Sequence, residues 1–276
     1  MPELPEVETV RRGLNSLVKG RTITNVEIYY DKIIIGSVAD FQHQLVGAKI
    51  LDIGRRAKYL LFHFDNNLTM ISHLRMEGKY QVRASKADFD KHVHIVFHLD
   101  DGKFLGYRDV RKFGKMQLVP TTEELQGKVI AALGPEPLTP EYTLAALQQG
   151  LQRRKKSIKA TLLDQHVVSG LGNIYVDEVL WRAQIHPEEP ANKVTEQQVA
   201  ALYPIINDEI KTAIAAGGTT VRSYVDATGH EGTFQLQLHV YNQEGHPCER
   251  CGTIIKKIKV AGRGTHFCPQ CQTLNP

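Results

Sequence analysis

The sequence predicts an α+β protein of two domains, with strands in the first half, helices in the second and a hairpin at the end. Three observations carry this. Short apolar runs broken by turn residues dominate up to residue 132. Helical periodicities follow a stretch, 133–140, that holds three prolines in eight positions. All four cysteines fall within the last 29 of 276 residues. That length exceeds the common size of one domain. Hydrophobic residues make up 42% and charged residues 23%, which excludes disordered and collagen-like chains. The net charge of +4 is a mild bias toward acidic partners. No apolar run approaches the roughly 18 residues a membrane helix needs, and the acidic opening Met-Pro-Glu-Leu-Pro-Glu lacks the core of a signal peptide. A soluble intracellular protein with no membrane partner is expected.

The first element is a helix. Val7, Val10, Leu14 and Leu17 share one face, Pro5 suits the first turn and Gly20 the end. Strands follow at 22–28 and 48–53. Runs 58–64 and 68–74 flank Asp65-Asn66-Asn67, and runs 92–99 and 103–107 flank Asp100-Asp101-Gly102, both with hairpin turn chemistry. A further strand at 115–119 completes the pattern of a β-sandwich or barrel. Beyond the linker, helices are expected at 140–152, 158–165, 174–183 and 195–215. Trp181 falls inside an amphipathic helix and reads as core.

Cys248-x2-Cys251 and Cys268-x2-Cys271 stand sixteen residues apart, a spacing that suits four thiolates on one zinc ion. Two disulfides are the alternative, which an intracellular location disfavours. Four protein ligands leave no open position, so the single Zn2+ is expected to be structural. Between the pairs, two strand-like runs surround Gly262-Arg263-Gly264, which reads as a hairpin with Arg263 at its tip. Residues 235–276 carry five cations against two carboxylates, a balance of +3. Such a basic finger suits nucleic acid, although some fingers only hold proteins together.

The segment 151–159 holds Arg153, Arg154, Lys155, Lys156 and Lys159 with no acid. A solvated helix face is the plain explanation of such a run. Ser169-Gly170-Leu171-Gly172-Asn173 then opens a helix. Its glycines allow close backbone approach, Asn173 is a good N-cap and a helix N-terminus attracts anions. An ordinary tight turn explains it equally well. His92, His94 and His98 alternate on one strand, where a DNA-facing or solvated strand is favoured over a metal site because no further ligand is placed to complete one.

Removal of Met1 would leave Pro2 with a free secondary amine. An α-amine has a pKa near 8 against about 10.4 for lysine, so far more of it is nucleophilic at neutral pH. Attack on a sugar C1′ gives a permanently cationic iminium. Glu3 and Glu6 stand beside it and can move protons. Proline and glutamate also favour the first turn of any helix, for capping and dipole reasons.

Four features occur together and in order: Pro-Glu-Leu-Pro-Glu-Val-Glu-Thr-Val-Arg-Arg from Pro2, Lys-Tyr-Leu-Leu from Lys58, Ser-Gly-Leu-Gly-Asn-Ile-Tyr-Val-Asp-Glu from Ser169, and the four-cysteine finger. In this the chain resembles the formamidopyrimidine-DNA glycosylases, bacterial enzymes that remove oxidised purines, over essentially its whole length. The resemblance implies a β-sandwich catalytic domain at 1–132, a linker at 133–140, a helix–two-turn–helix domain at 141–234 and a zinc finger at 235–276. It implies Pro2 as Schiff-base nucleophile, Glu3 as its acid and base, Glu6 as a supporting acid, Lys58 as proton donor in base removal, and Arg263 as phosphate grip and proton donor in the second elimination. Asn173 and Lys159 match phosphate-clamping residues. Tyr241 and His92 match further DNA contacts, and Arg154 lies in the matching basic run. Met76, Arg111 and Phe113 match the side chains that fill the gap left by the everted nucleotide, although Met76 and Phe113 would more often be core. Arg222, Ser223 and Tyr224 match a loop that closes over the lesion. The implied partner is double-stranded DNA containing an oxidised purine or an abasic site, bound by a monomer in the bacterial cytoplasm and at the nucleoid. Two rivals remain. Endonuclease VIII takes oxidised pyrimidines, and Leu4 with the Met76, Arg111 and Phe113 set argues against it. A non-enzymatic DNA-binding protein gives no reason for Pro2, Glu3 and Lys58 to occur together.

Overall fold

The structure, a computed structural model, describes residues 1–219 and 233–274. Arg222, Ser223 and Tyr224 lie outside the described residues. The chain divides into two compact units: Met1–Ala131 with Gly217–Thr233, and Ala132–Ala216 with Phe234–Pro276. No helix among the described residues is long and apolar enough to cross a membrane.

The first unit opens with helix α1 (Leu4–Val18) and continues through β1 (Ile23–Ile28), β2 (Ile34–Ile35), α2 (Val38–Leu45), β3 (Ile50–Arg56), β4 (Tyr59–Phe64) and β5 (Leu68–His73). Then come β6 (Lys79–Arg83), β7 (Val93–Leu99), β8 (Phe104–Arg108), β9 (Lys115–Pro120) and the short α3 (Lys128–Ala131). One sheet has the order β1-β7-β8-β6 and the other β2-β9-β5-β4-β3. A single core takes Val26, Ile95, Phe97 and Leu105 from the first sheet, Ile53, Leu60, Phe62 and Met70 from the second, and Val7, Val10 and Leu14 from α1. This is the expected sandwich with its leading helix. Leu17 is only partly buried, while Leu4 and Val18 are fully buried. Asn67 and Gly102 turn the two expected hairpins with φ of 60° and 80°. The sequence reading missed α2, whose eight residues bury only Phe41 and Leu45 behind a Ser37 cap, and β6, where Tyr80 is the one buried residue.

In the second unit α4 (Leu144–Gln152), α5 (Ile158–Leu162), α6 (Asn173–Arg182) and α7 (Glu196–Ala215) precede the finger strands β10 (Lys256–Val260) and β11 (Arg263–Phe267). Thr143, Ser157 and Thr195 cap α4, α5 and α7 by accepting hydrogen bonds from backbone N–H groups, which satisfies donors the helix cannot. The expected start of α4 at Pro140 therefore moves to the Thr143 cap. Helix α5 stops short of the expected 165. There the Gln165 amide donates to the Leu163 and Leu171 carbonyls and accepts from Gly170 N, folding 163–172 into two turns between α5 and α6. The basic run is consequently not a helix face. Residues 153–156 form the turn between α4 and α5.

Two corrections concern single residues. Asn173 is the first helical residue of α6, and Gly172 occupies the cap position. The hairpin turn is Ala261-Gly262, with φ of 47° and 77°, the left-handed pair that matches strand twist in a two-residue loop. Arg263 pairs with Val260 as the first residue of β11 rather than standing at the tip.

Candidate functional site

In the first unit, the N-terminus is fixed by carboxylates. Glu3 is the N-cap of α1, and Glu3 with Glu6 forms a reciprocal capping box in which the Glu3 amide donates to Glu6 Oε2 at 2.7 Å. The other Glu6 oxygen accepts from Thr219 N at 2.8 Å, so one side chain ties the entrance of α1 to a segment more than two hundred residues away. Gly218 passes so close that an added Cβ would lie 2.8 Å from Glu6 Oε1. Pro2, Glu3 and Glu6 are all buried.

Lys58 is not in a strand as expected. It is the second residue of the two-residue turn Ala57-Lys58 that joins β3 to β4, where Arg56 pairs with Tyr59. Ala57 takes a φ of 49°, a conformation hairpin turns ordinarily reserve for glycine or asparagine. Helix α1 packs on this β3–β4 hairpin, and Asn15 locks it by both donating to Ile53 O and accepting from Ile53 N. Lys58 is buried, and its charge acts on His73, at the end of β5. Burial first, then Arg75 and Lys58, push the His73 pKa down to about 3. Its Nδ1 accepts from Arg75 N at 2.9 Å.

The three gap-filling candidates sit on two loops of the same unit. Met76 is 38% and Phe113 49% exposed, which removes the core explanation for both. The Arg111 guanidinium lies 4.8 Å from the centre of the Phe113 ring, in cation–π contact. Sequence reasoning missed what shapes these loops. Buried Asp109 accepts from Arg111 N at 3.0 Å and Gly114 N at 2.8 Å. Its own N–H donates to the His92 carbonyl, so His92, in the turn before β7, is joined to the Arg111 loop. The Tyr107 hydroxyl fills the space beside both loops, since a Cβ on Gly78 would lie 2.3 Å from it and one on Gly114 only 1.7 Å. His94 and His98 are engaged elsewhere, by Asp109 O at 2.9 Å and Glu27 at 2.6 Å.

The second unit gathers Lys159, Asn173 and the finger hairpin. Lys159 is completely buried, with Nζ 2.6 Å from Asp177 Oδ1 and 3.2 Å from the Gly264 carbonyl. The amide of Asn173 donates to the same carbonyl at 2.9 Å. Asp177 Oδ2 accepts from His266 N. Lys159, expected as a phosphate clamp, therefore has no exposed surface in this structure. Its charge is consumed in a buried pair that anchors β11 next to Arg263, which is exposed with no carboxylate partner among the described residues. Arg154 donates to Gly150 O and reaches Asp164, while Arg153 and Lys155 are exposed without a carboxylate partner among the described residues. Tyr241 N donates to Glu178, a carboxylate with no exposed surface that also accepts from His239 N and Val240 N. No local pattern announces Asp177 or Glu178, because their partners lie 18 to 89 residues away.

Cys248, Cys251, Cys268 and Cys271 are free of disulfides, and their sulfurs all lie within 4.8 Å of one another. Zinc–sulfur bonds of about 2.3 Å in a tetrahedron need sulfurs about 3.8 Å apart; Cys248–Cys271 at 3.9 Å and Cys251–Cys268 at 3.4 Å bracket that value. The residues fit a closed structural Zn2+ site. Trp181 backs it, its Nε1 donating to Cys248 Sγ and its ring covered by Arg250, in a small core with Val240 and Ile255.

A β-sandwich with a leading helix, a two-turn helix pair and a four-thiolate hairpin define the class: a zinc-finger protein of the helix–two-turn–helix type. Three family models match in sequence order. They are the formamidopyrimidine-DNA glycosylase N-terminal domain over residues 1–116, its H2TH domain over 133–225, and a zinc finger found in FPG and IleRS over 245–274. The formamidopyrimidine-DNA glycosylase of Ligilactobacillus salivarius is 55% identical, covering 99% of both chains. That of Lactiplantibacillus plantarum is also 55% identical, over 99% of this chain and all of its own. Wild-type Lactococcus lactis Fpg in complex with a DNA containing N7-benzyl-Fapy-dG superposes with a TM-score of 0.93 at 43% identity, covering 99% of this chain and 100% of that one. Its complex with an abasic-site DNA gives 0.94 at 44% identity, over 98% and 99%. The chain belongs to the formamidopyrimidine-DNA glycosylase family.

Proposed function

We propose that the chain is a bifunctional DNA glycosylase and AP lyase of base excision repair, which removes oxidised purines such as 8-oxoguanine from duplex DNA and then cuts the strand by β,δ-elimination. Buried Pro2, directly preceding the Glu3–Glu6 capping box in sequence, is the observation that carries this reading. Met1 precedes Pro2 in the 276-residue chain, so the Pro2 nitrogen becomes an amine once Met1 is removed.

The chemistry follows from that amine. Pro2 N attacks C1′ as the glycosidic bond breaks, Lys58 gives a proton to the departing base, and Glu3 protonates the sugar ring oxygen. The resulting iminium withdraws electrons from C2′. Loss of a C2′ proton expels the 3′ phosphate, a second elimination aided by Arg263 expels the 5′ phosphate, and hydrolysis frees Pro2. Met76, Arg111 and Phe113 occupy the space of the everted nucleotide. Asn173, Arg154, His92 and Tyr241 hold backbone, with Lys159 acting by setting the Gly264 carbonyl beside Arg263. Zn2+ supplies no chemistry to these steps; its thiolates fold the hairpin that carries Arg263. The enzyme acts as a monomer on lesion-containing or abasic duplex DNA, in the bacterial cytoplasm and at the nucleoid. Excision assays on duplexes carrying 8-oxoguanine or thymine glycol test the substrate class: release of 8-oxoguanine is expected to be faster, and preference for thymine glycol overturns it.

A further inference from the structure

We propose that Arg55 is a positioning residue for Lys58, held by Glu8, so that base removal depends on the Glu8–Arg55 pair while the later eliminations do not. The inference rests on the role given to Lys58 above. Arg55 is the last residue but one of β3 and spans two elements. Its Nε donates to Glu8 Oε2 on α1 at 3.0 Å, and its Nη1 donates to the carbonyl of Ala57 at 2.9 Å. Both charged side chains are largely buried, with 13% and 9% of their surface exposed.

The Ala57 carbonyl belongs to the peptide bond that leads into Lys58. Alanine at a φ of 49° is disfavoured, and such a residue persists only where its surroundings hold it. Arg55 is one of those restraints, and it acts on the peptide next to the working side chain. Arg11 and Arg12 also bind Glu8, but from its own helix. Of the three arginines, only Arg55 carries the tie from α1 across to the turn. Burial alone would raise the Glu8 pKa; the hydrogen bonds from Arg11, Arg55 and Arg12 overcome it and bring it down to about 2. The carboxylate is thus charged wherever the enzyme works. A guanidinium fork can serve carboxylate and carbonyl together, whereas a lysine ammonium lacks the fixed span.

A merely structural Arg55 would glue α1 to β3, and its loss would slow every step alike. A positioning role separates the steps, because Lys58 acts on the departing base and an abasic site has none. The test uses the full chain with Met1 removed, and single-turnover rates on a duplex with 8-oxoguanine and on one with a preformed abasic site. For Arg55→Gln and Arg55→Lys we expect excision to slow roughly ten- to a hundredfold, with abasic cleavage within about twofold of wild type and KM unchanged. Glu8→Gln should shift the same way. Arg12→Gln, which loses a bond to Glu8 but none to the turn, should leave both rates unchanged. Equal slowing of both reactions, or no slowing of excision, overturns the proposal. Failure of the wild-type chain to excise 8-oxoguanine would overturn the functional reading with it, which the variants alone cannot do.

Discussion

Lys58 and Arg75 bring positive charge to bear on the His73 imidazole, and burial of that ring does more still. With a folded pKa of about 3 against about 6.5 unfolded, His73 stays neutral in the native protein. Below pH 6.5 the unfolded chain takes up a proton that the folded chain refuses, so stability falls as pH drops from about 6.5 toward 3. Between pH 7 and 5 this amounts to on the order of 2 kcal/mol. Glu178 titrates the other way in the same window, because burial lifts its pKa to about 7 against the opposing hydrogen bonds of Tyr241, His239 and Val240. The observable is therefore a difference: His73→Gln should lose less stability than wild type on going from pH 7 to 5, measured by urea unfolding. Glu8 adds no pH dependence above pH 5, since its stabilisation is fully present above the unfolded value near 4.5 and disappears only as pH falls toward 2. The four cysteines were legible in the sequence from their local spacing, and Pro2 and Glu3 were legible only through the family resemblance, because proline and glutamate favour the first turn of any helix. His73, Asp109 and Asp177 were not, because what makes them informative is a partner supplied by the fold.

Between elements, glycines and buried charges decide what the loops can be. The Tyr107 hydroxyl leaves no room for a side chain at Gly114. Gly114→Ala should cost about 1–3 kcal/mol and slow excision by shifting the loop that carries Arg111 and Phe113. Gly127→Ala, with nothing within 4 Å of the added Cβ, should change neither. Lys159→Ala should lower stability by about 3–5 kcal/mol in denaturant titrations, because it strands buried Asp177. A small loss of stability with a large loss of DNA affinity would instead restore Lys159 as a direct clamp. Hairpins with Asn or Gly turns were readable from sequence, as was the span of α7. The ends of α4 and α5 were not, since a cap and two side-chain-bonded turns moved them. The tip of the finger was misread because two glycines flank Arg263 and either could have formed the turn.

At the scale of the whole molecule, the order of strands, helices and cysteine finger was legible because hydrophobic period and cysteine spacing are global patterns. The crossing of strands between two sheets was not, since β1 pairs with β7 and β6 with β8 across long separations. DNA binding should weaken steeply with salt as phosphate contacts release counterions, and affinity indifferent to ionic strength would contradict the interface. Chelation should remove one zinc per chain and abolish strand cleavage, because the hairpin bearing Arg263 folds around the thiolates. Borohydride trapping on a duplex with 8-oxoguanine opposite cytosine, followed by mass spectrometry of the N-terminal peptide, tests the central claim most directly. The account predicts a reduced covalent adduct on Pro2. No adduct from chain shown to lack Met1, on either 8-oxoguanine or abasic DNA, would contradict it and leave a DNA-binding protein without this chemistry.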